Sequence, residues 1–178
     1  MARRGDGRGS PRAAQMSERA RPATLEDLKR LLAALHAERA DYLLIGGYAL
    51  IAHGFARATV DIDLLVPARR EAAEPIRRAL LVLPDKAAAA VAPEWFEEGE
   101  GIRVADDFVV DLVFRTCGET YDSLQPFAEI FDLEGVPVRT VNLEGLLRTK
   151  QSARGQDVTD RMVIERALAA ARSEKDRK

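Results

Sequence analysis

Apolar positions first settle into a regular pattern at Thr24. Leu25, Leu28, Leu31, Leu32 and Leu35 recur at three- and four-residue spacing, which predicts an amphipathic helix reaching about Arg39. Thr24-Leu-Glu-Asp27 at its head has the form of a capping box. The apolar run Tyr42–Ile45 predicts a buried strand. Gly46-Gly47 turns the chain, Tyr48–His53 reads as a short helix ending at Gly54, and Val60–Val66 reads as a second strand stopped by Pro67. A helix is expected over Arg69–Leu83, with Ile76, Ala79, Leu80 and Leu83 facing inward, and Pro84 ends it. Ala87–Ala92 permits a helix, and Tyr121–Phe127 fits no single element. Gly101–Ala105 and Phe108–Phe114 form a hairpin signal around Asp106-Asp107. Ile130–Leu133 and Val136–Val141 form another around Glu134-Gly135. Helices are expected at Leu143–Ser152 and Asp157–Arg172. Hairpins mixed with strand–helix alternation predict an α/β (α+β) fold, a mixed sheet flanked by helices.

The first 22 residues stand outside this pattern. They are rich in Arg, Gly, Ser and Ala with almost no large apolar side chains, so a disordered extension is expected over 1–22. Met16 offers an alternative start, which would leave residues 1–15 outside the native protein. A single domain is expected over 23–172, with 143–172 as its helical C-terminal part. The 178 residues include 27 Lys and Arg against 29 Asp and Glu, a formal net charge of −2. The chain as a whole therefore carries no basic footprint for nucleic acid. One cysteine, Cys117, excludes an internal disulfide and fits a cytoplasmic setting. No apolar run reaches the roughly 18 residues of a membrane helix.

Three features carry candidate chemistry. Asp61 and Asp63 lie one residue apart on an apolar strand, so both project from one face while Val60, Ile62, Leu64 and Val66 fill the other. Paired carboxylates in such a setting call for a cation or for basic partners. Asp111 sits alone within Phe108-Val-Val-Asp-Leu-Val-Phe114 and poses the same problem. If its strand lies beside Val60–Val66, three carboxylates converge, enough to hold two Mg²⁺ ions about 3.5–4 Å apart for displacement at phosphorus. The competing reading for Asp111 is an ion pair with Arg103 or Arg115. Gly46-Gly47 leaves backbone amides open to an anion, or is simply a turn. His53 reads as a hydrogen-bonded structural histidine. Trp95 and Phe96 read as packing under a loop, with base stacking as the alternative.

Gly46-Gly47, thirteen intervening residues, Asp61-x-Asp63 and a later lone strand aspartate resemble the signature of the nucleotidyltransferase superfamily that includes DNA polymerase β. The string GGYALIAHGFARATVDIDLLV is most similar to small bacterial stand-alone members, including the abortive-infection AbiEii toxin type. There Arg-x-Thr-x-Asp-x-Asp is common, matched by Arg57, Thr59, Asp61 and Asp63. The resemblance implies that Asp61, Asp63 and Asp111 hold two Mg²⁺ ions, with Mn²⁺ as a substitute, and that Gly46-Gly47 receives the triphosphate of an NTP. It implies that Arg57 and Thr59 support phosphate binding, with a spacer-anchoring role for Arg57 as the alternative. Lys150 would reach the β/γ-phosphates as a point charge, with Arg154, Asp157 and Asp160 completing a polar face or forming a solvated helix surface. The implied reaction moves an NMP to an acceptor hydroxyl on a tRNA 3′ end or a protein, in a toxin with a cognate antitoxin. Modification of a small antibiotic, or a catalytically inactive binding or antitoxin-like role, are the alternatives.

Overall fold

The leucine stripe is the face by which the first helix enters the core. The computed structural model describes residues 20–175; residues 1–19 of the expected extension lie outside them. Helix α1 (Leu25–Ala37) buries Leu28, Leu31, Leu32 and Leu35 at 2 % exposure or less, each side chain worth about 1.5–3 kcal/mol. Its capping box is complete: the Asp27 amide donates to Thr24 Oγ1, and the Thr24 amide donates to Asp27 Oδ2. Arg21 grips the same cap, 2.5 Å from Asp27 and 2.7 Å from Asp107.

The chain continues through β1 (Leu43–Ile45), α2 (Gly46–Ala52), β2 (Ile62–Leu65), α3 (Ala73–Leu80) and α4 (Glu94–Glu98). The predicted hairpin follows as β3 (Ile102–Ala105) and β4 (Val109–Val113). A two-residue-stranded hairpin comes next, β5 (Arg115–Thr116) with β6 (Glu119–Thr120), and then α5 (Tyr121–Leu124). The second predicted hairpin is β7 (Ala128–Leu133) with β8 (Val136–Val141), followed by α6 (Leu143–Arg148) and α7 (Gly155–Lys175). Six strands form one mixed sheet in the order β3-β4-β2-β1-β8-β7. The two hairpins lie at its edges. Its centre is built by distant segments, with β2 parallel to β4, β1 antiparallel to β2 and β1 parallel to β8. Helix α1 packs on α3 and β8, α2 on β1 and β2, and α6 on α7.

Several boundaries differ from expectation. Val60 was expected in the core but is 55 % exposed. The three residues of β1 pair with β2 only from Asp63 to Leu65, so the sheet ends before Val60, whose carbonyl instead accepts from the Ala23 amide. The helix expected over Arg69–Leu83 begins as a 3₁₀ turn at Arg70–Ala72 and ends at Leu80, although Leu83 is still fully buried. Ala87–Ala90 forms a 3₁₀ turn, and Tyr121–Phe127 divides into α5 and a 3₁₀ turn containing Pro126. Pro126 lacks the amide that would have continued the helix.

Candidate active site

Strand register brings the distant carboxylates together. Asp63 on β2 and Asp111 on β4 are direct partners in the parallel pair, and Arg103 on β3 is the direct partner of Asp111. Ile45, Asp63, Asp111 and Arg103 thus form one row across four strands, with side chains on one face of the pleat. On the other face Ile62, Leu64, Val110 and Leu112 are fully buried, which fixes the acids outward. Asp61 lies just before β2, and Arg103 binds it at 2.7 Å while reaching Asp111 at 3.5 Å. The ion pair weighed for Asp111 therefore forms through Arg103, and it includes Asp61.

This row holds more negative charge than it compensates. Burial, then the neighbouring charges of Asp111 and Asp61, push the Asp63 carboxyl up to about 7, against the opposing pull of Lys150 and Arg103. Burial also raises Asp111, with Arg103 opposing. Hard oxygen donors with unfavourable charge suit a hard divalent cation. Among the described residues no three His, Cys, Asp or Glu side chains already form a metal cage.

The glycine turn packs against the acids. Gly46 has φ +70°, and a β-carbon there would lie 2.1 Å from Asp63 Oδ2. A β-carbon on Gly47 would lie 2.5 Å from Thr59 Cβ. Both glycines are therefore demanded by close approach of the spacer and β2, Gly46 by backbone conformation as well. Thr59 Oγ1 donates to the Asp61 carbonyl at 3.3 Å, holding the spacer where it meets the acid pair.

A buried charge network closes the other side. Lys150, only 7 % exposed, lies 3.0 Å from Asp160 and 3.5 Å from Asp157. Arg57 donates through Nε to Asp160 at 2.9 Å, and Ser152 hydrogen-bonds Asp157. Asp160, on α7, thus joins the spacer to Lys150, two residues past the end of α6. Arg57 is engaged in anchoring the spacer, and Lys150 faces Asp63 closely enough to favour its ionised form. Arg154 is exposed. The bridging role of Asp160 was not read from the sequence, where its spacing from Asp157 is equally that of a solvated helix face.

Of the remaining candidates His53, Phe96 and Cys117 make structural contacts, whereas Trp95, expected to pack under a loop, lies at the surface. His53 Nε2 is 2.8 Å from the Val141 carbonyl and the ring stands edge-on to Phe131. Phe96 is fully buried, edge-on to Phe114, and Trp95 is 40 % exposed. Cys117 is exposed, its thiol 3.3 Å from the Thr149 carbonyl.

A model of the family described as nucleotidyl transferase AbiEii toxin, type IV toxin–antitoxin system, matches residues 30–162. The chain belongs to this family. A search of curated proteins finds no match. The matched region of this AbiEii-family chain spans the glycine turn, all three aspartates, Lys150 and Asp160. Membership makes nucleotidyl transfer, with an NTP and a divalent metal, the chemistry of the family. Among the described residues no helix of this AbiEii-family protein is long and apolar enough to cross a membrane.

Proposed function

We propose that the protein is a Mg²⁺-dependent enzyme that moves an NMP from an NTP to an acceptor hydroxyl, on a tRNA 3′ end or a protein. The observation carrying this reading is the facing pair Asp63 and Asp111, with Asp61 beside it and charge left uncompensated. Asp61, Asp63 and Asp111 would hold two Mg²⁺ ions. Bound there, such ions lower the pKa of the attacking hydroxyl and neutralise charge on the leaving pyrophosphate.

The chain's own groups do the rest. Asp111, whose carboxyl is raised by burial, accepts the proton of the acceptor hydroxyl. The Gly46-Gly47 backbone receives the triphosphate where no side chain obstructs it. Lys150 offers its ammonium to phosphate from the Asp63 side. Thr59 positions the spacer, and Arg57, tied to Asp160, anchors it instead of gripping phosphate. These are positioning and electrostatic contributions, where most of the rate enhancement of phosphoryl transfer arises. The toxin's cognate antitoxin is the expected macromolecular partner.

Incubation with each α-labelled NTP, Mg²⁺ or Mn²⁺ and total tRNA or cell extract tests the reading. Label should pass to an acceptor with the native chain and not with Asp61→Ala/Asp63→Ala. Transfer that survives the double substitution overturns it.

A further inference from the structure

The acid row comes with a cation of its own. Arg103 is fixed at the base by β3–β4 pairing opposite Asp111, and its guanidinium fork spans Asp61 at 2.7 Å and Asp111 at 3.5 Å. Its side chain is 43 % exposed, and among the described residues those two carboxylates are its ion-pair partners. A 300 Å³ cavity adjoins it, lined by Asp61, Val60, Val109, Arg21 and Pro22 as well as Arg103 itself. Arg21 in that cavity is already committed to Asp27 and Asp107. Lys150, the cation on the Asp63 side, is held by Asp157 and Asp160. Arg103 is therefore the basic group whose partners are the same oxygens a divalent ion would use.

We infer that Arg103 is an exchangeable counter-cation of the candidate metal site: it holds Asp61 and Asp111 in the metal-free protein, and a divalent ion must displace it toward the adjoining cavity. The inference rests on the proposed metal-binding role of the three aspartates. A guanidinium and a divalent ion compete for the same two carboxylates, so removing the guanidinium strengthens metal binding even though it deletes a native contact. An ion pair at this exposure is worth up to roughly 1 kcal/mol, which corresponds to about a fivefold change in metal affinity.

Mn²⁺ titration of the full chain without nucleotide, followed by electron paramagnetic resonance, tests this. Arg103→Gln should bind Mn²⁺ about fivefold more tightly than the native chain, and Arg103→Lys should fall between them. The gain should shrink when Asp61→Asn is combined with Arg103→Gln. Circular dichroism confirms that each variant is folded. Unchanged or weaker binding by folded Arg103→Gln, with binding still abolished by Asp63→Asn, overturns the inference and leaves the metal reading standing. Mn²⁺ binding that is indifferent to Asp63→Asn overturns both.

Discussion

At the residue scale, Gly46 and Asp63 define each other. The turn can close on β2 only if residue 46 lacks a side chain and adopts φ +70°. Gly46→Ala should therefore cost more than the roughly 1–2 kcal/mol of a left-handed non-glycine residue, because its methyl meets a carboxylate oxygen. Gly54→Ala is the internal comparison, with φ +84° and nothing within 4 Å of the added carbon. Thermal unfolding of the two variants should place Gly46→Ala clearly below Gly54→Ala; equal melting temperatures would show that the turn yields. Asp111→Asn should reduce single-turnover NMP transfer by at least about 10²-fold, the scale of losing one preorganised electrostatic group, with the melting temperature little changed. The Asp-x-Asp pair and Asp111 were legible because carboxylates break apolar strand patterns. Arg103 as their joint partner was only half legible: the pair with Asp111 could be imagined from sequence, but Asp61 entered through a strand neighbour.

At the scale of elements, the N-terminus of α1 is held by charge. Arg21 first, then the Thr24 groups and Arg30, keep the Asp27 carboxyl well below its ordinary 3.8, against the cost of burying it. A carboxyl depressed by folding stabilises the native state above its unfolded pKa and loses that contribution as pH falls through its native value. Asp27→Asn should thus destabilise the protein at pH 7, by about 1–3 kcal/mol for a lost charged cap. The gap to the native chain should narrow below about pH 4, as the unfolded carboxyl near 3.8 protonates first. Urea titrations at pH 7 and pH 3 would show it, and a gap independent of pH would reject the ionic origin. Both hairpins of the six-stranded sheet could be read from their apolar runs and turn residues, since they are local; the short β5–β6 hairpin was too brief to leave such a signal. The parallel pairing of β2 with β4 and of β1 with β8 could not, because nothing in a strand's own sequence names a distant partner.

Across the whole molecule, Asp160 is the residue on which separate parts depend. It pairs with Arg57 from the spacer at 2.9 Å and with Lys150 at 3.0 Å, and its own side chain is only 4 % exposed. Asp160→Ala leaves Arg57 without its carboxylate and Lys150 with only Asp157, in a largely buried setting, so a loss of about 3–5 kcal/mol is expected, read as a lowered denaturant midpoint. A shift within a few tenths of a kcal/mol would mean that Asp157 and water replace it. We propose that residues 23–172 form one cooperative unit, in which calorimetry of the native chain gives a single unfolding transition.

The register of β2 against β4 has a consequence for how errors are detected. Strand side chains alternate faces, so a slip of one residue would put Val110 or Leu112 opposite Asp63 and turn Asp111 into the core. Only the native alignment assembles the acid row. On the proposed metal-binding role of that row, a divalent ion would reward that alignment and no other, and so would act as a proofreader of sheet assembly as well as a participant in chemistry.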